Sequence, residues 1–126
     1  MLSKCRVAAT LPYDGLATAE PFYGGKLGLE LKSGSVADGW LEFAGGDGTV
    51  IEVFESDSPK SDDTSATFEV EDLEREMADL RGKGVKFEEY DLPGIKTVRG
   101  VATMEGHRAA WIKDPAGNVI ALHQGG

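Results

Sequence analysis

The chain has 126 residues, enough for one small domain, and its 22 Asp and Glu against 13 Lys and Arg give a net charge of −9 at pH 7. This acidity repels nucleic-acid phosphates and anionic lipids, so nucleic-acid binding and a membrane-surface role are disfavoured. The sequence contains no apolar run long enough to span a membrane and no signal-peptide core at its amino terminus. The one cysteine, Cys5, cannot form an internal disulfide. We therefore expect a soluble, cytoplasmic protein.

The first half of the chain predicts a strand, a helix and three further strands. Apolar and polar residues alternate over Arg6–Leu11, which predicts a half-buried strand. A helix follows from Leu16 to about Tyr23, and Pro21 should make it short or kinked because proline removes a backbone donor. Further strands are predicted around Leu29–Leu31, at Trp40–Phe43 and at Thr49–Glu55.

The second half repeats this order. Ser65–Val70 alternates like the first strand, and a helix from Leu73 follows Asp72 as its N-cap and stops at Gly82 and Gly84. Strands are then predicted at Val85–Glu88, Ala109–Lys113 and Asn118–His123. About 12 residues that the first half lacks lie between Tyr90 and Gly106. We interpret this stretch as a long loop that acts as a lid over a cavity, with Tyr90 and Ile95 against a ligand or partner subunit.

Five short motifs in this duplicated pattern resemble the vicinal oxygen chelate superfamily. They are Pro-Tyr-Asp-Gly-Leu at 12–16, Phe22-Tyr23, Leu27-Gly28-Leu29, Val-Glu-Asp-Leu at 70–73 and Asp-Pro-Ala-Gly-Asn at 114–118. The superfamily includes glyoxalase I, bleomycin-resistance proteins, fosfomycin-resistance enzymes and extradiol dioxygenases. The resemblance covers nearly the whole chain and points to a small branch whose members generally lack assigned substrates.

The resemblance implies an α+β fold of two βαβββ modules, whose curled mixed sheet surrounds a cavity with the helices outside. Module one should span about residues 4–56, a polar linker 57–64, and module two about 65–124. Because two modules leave sheet edges and apolar surface uncovered, we expect a homodimer. Whether the modules pair within the chain or by exchange between two chains stays open.

Metal ligands of the superfamily sit on inward-facing strand positions, and four such positions correspond to Ala8, Glu52, Ser65 and Ala121. Only Glu52 can bind a divalent metal strongly, whereas metal catalysis needs about three protein ligands. We therefore predict no metal and no other cofactor.

Candidate site residues follow from strand alternation. A covering helix needs the apolar alternates of the first strand in each half, which leaves Thr10, Ser65, Thr67 and Glu69 on the opposite face. The candidate ligand-binding residues are Thr10, Phe54, Ser65, Tyr90, Trp111, Val119, Ala121 and His123, and the candidate catalytic residues are Glu52, His107 and Arg108. The alternative is that these side chains only pack between sheets or at a dimer interface.

Three functions remain open. The first is a protein that binds a small organic molecule in a cleft without metal, as bleomycin-resistance proteins do. The second is an enzyme of the superfamily (a lyase, an isomerase or a dioxygenase) with a nonstandard metal site that uses Glu52, with or without His123. The third is a metal-free acid/base enzyme, in which Glu52 or His107 moves a proton and Arg108 stabilises a developing anion.

Overall fold

A computed structural model describes residues 1–58 and 60–125. The chain forms two compact units, Met1–Lys60 and Ser61–Gly126. Each unit contains a sheet with a helical segment packed on one of its faces. We call this the helix face of the sheet, and the opposite face the distal face.

The first unit is a four-stranded mixed sheet. Its strands are β1 (Ala8–Tyr13), β2 (Glu30–Ser35), β3 (Trp40–Ala44) and β4 (Val50–Glu55), in the order β1-β4-β3-β2. Strand β1 runs parallel to β4, and the other neighbours are antiparallel. Successive side chains alternate between the two faces, so Leu11, Phe43 and Val53 are buried on the helix face. The first strand begins later than predicted, and Val7 is 82% exposed.

The helix predicted from Leu16 to Tyr23 is two shorter pieces. A 3₁₀ turn spans Leu16–Thr18, and a π-helical segment spans Glu20–Lys26. The Glu55 carboxylate accepts hydrogen bonds from the backbone N–H groups of Gly15 and Leu16, which caps the 3₁₀ turn. Pro21 lies in the first turn of the π-helical segment, where its missing N–H has no helical partner to lose.

The second unit is a six-stranded sheet with the order β5-β10-β9-β8-β7-β6. The strands are β5 (Thr64–Glu69), β6 (Asp91–Leu92), β7 (Ile95–Val98), β8 (Val101–Met104), β9 (His107–Lys113) and β10 (Val119–Gln124). Strand β5 runs parallel to β10, and β10, β9, β8 and β7 are successively antiparallel. Helix α1 (Leu73–Gly82) packs on β9 and β10.

Helix α1 follows its sequence signals closely. The Asp72 side chain accepts a hydrogen bond from the Arg75 backbone N–H at 3.2 Å, as an N-cap residue does. Leu73, Met77 and Leu80 form the buried stripe that holds the helix on the sheet. Beyond the last turn, Gly84 adopts a φ of 84°, which suits glycine and ends the helix.

Two predictions for the second unit are wrong. Val85–Glu88 forms no strand of its own and makes only a bridge from Phe87 to Ile112. The stretch between Tyr90 and Gly106 is not an irregular loop, because it contains β6, β7 and β8 and extends the sheet. Tyr90 and Ile95 pack against buried residues of their own unit. Lys96 and Arg99 are exposed.

The Asp-Pro-Ala-Gly-Asn motif forms the turn between β9 and β10. Asp114 Oδ1 accepts hydrogen bonds from the backbone N–H groups of Ala116 and Asn118 at 2.9 and 2.8 Å. Asn118 Nδ2 donates to Asp114 Oδ2 at 2.9 Å, and both residues are buried. The motif is therefore a hydrogen-bonded turn, which we call the Asp114 clasp, and its role is to align β9 with β10.

The fold class is the predicted one: α+β, built from two βαβββ modules with the helical segments outside the sheets. The second module carries β6 and β7 in addition. None of the helices in the described part of the chain has the length and apolar character that a membrane crossing needs.

Candidate functional site

The distal face of the second sheet carries an apolar cluster, which we call the distal cluster. It consists of Ala102, Ala109, Trp111, Val119 and Ala121, with Tyr90 and Ile95 packed against it. Four of the candidate ligand-binding residues, Tyr90, Trp111, Val119 and Ala121, are therefore brought together. Ala121 pairs with Trp111 across β10 and β9.

Trp111 is fixed by one aromatic contact and one hydrogen bond. Its ring and that of Tyr90 meet edge to face, with centroids 5.5 Å apart and planes at 82°. Its Nε1–H donates to Thr64 Oγ1 at 3.1 Å. Burial raises the pKa of the Tyr90 phenol above its ordinary value of 10.0, and the Glu88 and Asp62 carboxylates raise it further.

Thr64 is a contact that the sequence reasoning missed. The parallel pairing of β5 with β10 joins Thr64 to Val119 and then Ala66 to Ile120, so it passes over Ser65. A bulge of this kind turns Thr64 toward Trp111 in place of the Ser65 that strict alternation selected. Nothing in the amino-acid pattern of β5 marks the bulge.

Three polar side chains form a hydrogen-bonded chain at the edge of the distal face. His123 Nδ1 lies 2.7 Å from Glu69 Oε2, and His123 Nε2 lies 3.2 Å from His107 Nδ1. The two imidazole rings are stacked, with centroids 5.2 Å apart. The structure thus brings together the candidates His107 and His123. It adds Glu69, which alternation had already placed on this face.

The chain has a direction when both histidines are neutral. An ionised Glu69 only accepts, so His123 Nδ1–H donates to it and leaves Nε2 as an acceptor. His107 Nδ1–H then donates to that nitrogen, and His107 Nε2 keeps a free lone pair. Because His107 is exposed, this lone pair can accept a proton from a bound molecule, and the Glu69 carboxylate can stabilise the positive charge that results.

Arg108 does not share this site with His107. Adjacent residues of a strand point to opposite faces, and the Arg108 guanidinium forms an ion pair with Glu74 on α1. His107 contacts His123 on the distal face, whereas Arg108 lies on the helix face. His107 and Arg108 therefore cannot act together on one bound molecule, because their side chains lie on opposite faces of the sheet.

The remaining candidates, Thr10, Glu52 and Phe54, share the distal face of the first sheet. Glu52 lies between Thr10 on β1 and Glu42 on β3 in the strand register, and Phe54 lies opposite Trp40. Glu42 and Glu52 are half-buried, so two carboxylates stand side by side. Glu42 was not among the predicted site residues. Strand alternation could have placed it, because it lies two residues after Trp40 and therefore on the same face of β3.

The residues at the superfamily's metal positions do not fit a metal ion. Ala8 and Ala121 have no donor atom, Ser65 offers only a neutral hydroxyl, and Glu52 is a single carboxylate. In residues 1–58 and 60–125, no three His, Cys, Asp or Glu side chains converge as metal ligands. Glu69 contacts Nδ1 of His123, and His107 contacts Nε2. These three side chains are therefore arranged in a line through the His123 ring and do not converge on one point where an ion could bind.

Comparison with family models matches residues 7–122 to the Glyoxalase/Bleomycin resistance protein/Dioxygenase superfamily. Comparison with curated proteins gives no significant match. Among solved structures, the antibiotic binding protein TnmS3 from Streptomyces sp. CB03234 is similar, with a TM-score of 0.68, 21% identity and coverage of 100% of this chain and 99% of that one.

Two further proteins of known structure are also similar. Lactoylglutathione lyase from Agrobacterium tumefaciens gives a TM-score of 0.70 at 19% identity, covering 97% of this chain and 94% of that one. The fosfomycin resistance protein FosX from Listeria monocytogenes, solved with Mn(II), gives 0.69 at 21% identity, covering 100% and 93%. At these identities the likeness shows the fold alone.

Proposed function

Since the chain belongs to the Glyoxalase/Bleomycin resistance protein/Dioxygenase superfamily, we propose that it binds a small organic molecule without a metal ion. The observation that carries this proposal is the distal face of the second sheet, where an aromatic pair adjoins a polar chain. Trp111 and His123 are diagonal neighbours across β9 and β10, because their partners are Ala121 and Ala109. Apolar surface beside a few fixed polar groups is the usual composition of small-molecule sites.

A comparison of the metal positions with the similar structures supports ligand binding rather than metal catalysis. TnmS3 is described as an antibiotic binding protein, while FosX was solved with Mn(II). This chain carries one strong donor, Glu52, at the four superfamily metal positions. A chain with such a donor set resembles a binder more than a metal-dependent enzyme.

Tryptophan fluorescence and elemental analysis of the purified full chain test the proposal together. We expect bleomycin, fosfomycin or another member of an antibiotic panel to change the emission of Trp111, measured in a Trp40→Phe background so that it is the single tryptophan, and His123→Ala to weaken that response. Lys32→Ala, on an exposed side chain of the first unit, is the control. A metal content near one per chain that Glu52→Ala removes would contradict the proposal and favour the metal-dependent alternative.

A metal-free acid/base enzyme is the second candidate, and the Glu69, His123 and His107 chain favours it. In this proposal His107 Nε2 accepts a proton from a carbon acid, and Glu69 stabilises the resulting charge through His123. Proton NMR in D₂O would detect exchange of α-protons in a panel of carbonyl compounds. We expect His107→Ala to abolish exchange, and retention of exchange in that variant would refute this role.

The remaining expectations form part of the same proposal. We propose a cytoplasmic homodimer that binds no nucleic acid, with module one at 4–56, a linker at 57–64 and module two at 65–124. The division of the chain into compact units after Lys60 supports these limits. A monomeric mass by light scattering at tens of micromolar would contradict the dimer.

A further inference from the structure

A groove of about 650 Å³ lies on the helix face of the second sheet. Its lining residues come from α1, β7, β8, β9 and the turn that joins β7 to β8, and they include Ala78 on α1 and Thr103 on β8. The volume is within the range of roughly 300–1,000 Å³ that is usual for small-molecule sites. The groove is on the opposite face from the distal cluster and the histidine pair.

The groove is strongly cationic in an acidic chain. Arg81, Lys96, Arg99 and Arg108 line it, against the single carboxylate of Glu74. These are four of the 13 basic residues of a chain with a net charge of −9. Glu89, which accepts hydrogen bonds from the Gly100 N–H, and Asp91, which pairs with Lys96 in the register of β6 and β7, add negative charge nearby, but the four cations outnumber these three carboxylates. The local charge therefore favours an anionic occupant.

Three of the four cations can engage a ligand. Among the described residues, the side chains of Lys96 and Arg99 make no hydrogen bond or ion pair. Arg108 is paired with Glu74, whose side chain is 72% exposed, and such exposed pairs contribute little to stability. An incoming anion can therefore take over Arg108. Arg81 is held in place by the Arg99 carbonyl and lies over the Phe87 ring.

The groove also offers apolar surface. Val98 is 66% exposed and Val101 is half-buried, beside the buried Met77 on α1. The turn that carries these valines approaches α1 closely because Gly100 has no side chain. A Cβ at Gly100 would lie 3.2 Å from Arg81 Nη2 and from Met77 Cε. Cationic and apolar surfaces are thus held side by side on ordered elements.

We propose that this groove binds a free small organic anion, with a carboxylate or phosphate head and a short apolar body. The head pairs with Lys96, Arg99 and Arg108, and the body covers Val98 and Val101. A single apolar body fits the volume, and the net charge of the chain opposes docking on an anionic lipid surface. This site is separate from the proposed distal-face function and stands if that proposal fails.

The test is a ¹⁵N NMR titration of the full chain with octanoate, below its micelle concentration, and with octyl phosphate. We expect shifts at the amides of Ala78, Val98 and Thr103, and a weaker effect at high salt. The double variant Lys96→Glu/Arg99→Glu should weaken octanoate binding roughly tenfold, since it replaces two attractive pairs by two repulsive ones. Lys113→Glu, an exposed cation at the far end of β9, changes the net charge in the same direction and should have no effect.

Each alternative occupant gives a distinct result. Equal shifts with neutral 1-octanol would show that the cations are not used and would overturn the proposal. Shifts confined to the distal cluster, or an equal loss in Lys113→Glu, would overturn it as well. Cosedimentation with phosphatidylglycerol vesicles would overturn the proposal in favour of an anionic lipid surface. Tighter binding of a pentaglutamate peptide than of octanoate would overturn it in favour of an acidic protein segment. Unchanged circular dichroism of the double variant shows that a lost response reflects binding rather than folding.

Discussion

The hydrogen bond from Trp111 to Thr64 gives the most direct test of how the distal face is built. Trp111 Nε1–H donates at 3.1 Å, and Trp111 is only 9% exposed. Thr64→Val keeps the branched shape and the strand preference but removes the acceptor. An unsatisfied buried donor costs about 1–3 kcal/mol, and because this bond is only part-buried we expect about 1–2 kcal/mol.

Ser65→Ala is the matched control for this prediction. The strand register passes over Ser65, and among the described residues its hydroxyl makes no hydrogen bond. We expect a change in the free energy of unfolding within about 0.5 kcal/mol. The pair of variants therefore removes one hydroxyl each from adjacent residues, with different expected costs.

Urea denaturation followed by circular dichroism measures both variants. In thermal unfolding, a loss of 1 kcal/mol in a chain of this size corresponds to a decrease of roughly 3–6 °C in Tm. In a Trp111→Phe background, which lacks the donor, Thr64→Val should cost nothing further. Equal effects of Thr64→Val and Ser65→Ala, or an unchanged cost in the Trp111→Phe background, would refute the assignment of this hydrogen bond.

Three further predictions follow from named contacts in the second unit. Asp114→Ala should lower the free energy of unfolding by about 3 kcal/mol or more, since it leaves the buried N–H of Asn118 without its acceptor; a loss under about 1 kcal/mol in urea denaturation would contradict the clasp. Gly100→Ala should cost about 1–3 kcal/mol, because φ is 83° and the added methyl crowds Met77, and an unchanged Tm would contradict this. The raised pKa of Tyr90 means that the unfolded state loses its phenolic proton first, so stability should fall as the pH rises above 10.0 toward the raised pKa. Tyr90→Phe should flatten that fall in urea titrations at about pH 9 and pH 11, and an identical pH dependence would contradict it.

Local signals allowed most of the elements to be predicted. The N-cap at Asp72, the stripe of Leu73, Met77 and Leu80, and the stop at Gly82 are all encoded within one segment, and α1 has those limits. The strands β3, β4, β9 and β10 also begin within two residues of their predicted starts. Such elements are specified by neighbours in sequence, which a single chain displays directly.

The errors concern signals that depend on the strand partner. A hairpin joins Val98 to Val101, and its two loop residues, Arg99 and Gly100, both adopt positive φ, although the sequence pattern predicted one long loop between Tyr90 and Gly106. Val85–Glu88 lies beside the end of β9 but makes only the bridge from Phe87 to Ile112, while β8 pairs with the start of β9 at His107, Arg108 and Ala109. Which segment pairs with β9 is decided by tertiary packing, which local alternation does not contain.

At the candidate site, strand alternation predicted the face on which a side chain lies, but not which side chains contact each other. Alternation placed Glu69 and His123 on one face, and the structure joins them by a hydrogen bond. It failed at Ser65, where a bulge changes which side chain reaches Trp111. Residue type alone could not reveal either the bond or the bulge, because both depend on the offset between β5 and β10.

Strand β9 explains how one small unit can present two different chemistries. His107 and Arg108 are neighbours in sequence, but the pleat sends the imidazole to the distal face and the guanidinium to the helix face. The distal face therefore gathers imidazoles beside an aromatic pair, while the helix face gathers cationic side chains beside valines. Because the sheet keeps these groups on opposite faces, a substitution in one set removes no contact of the other. The two proposed sites can consequently be altered one at a time.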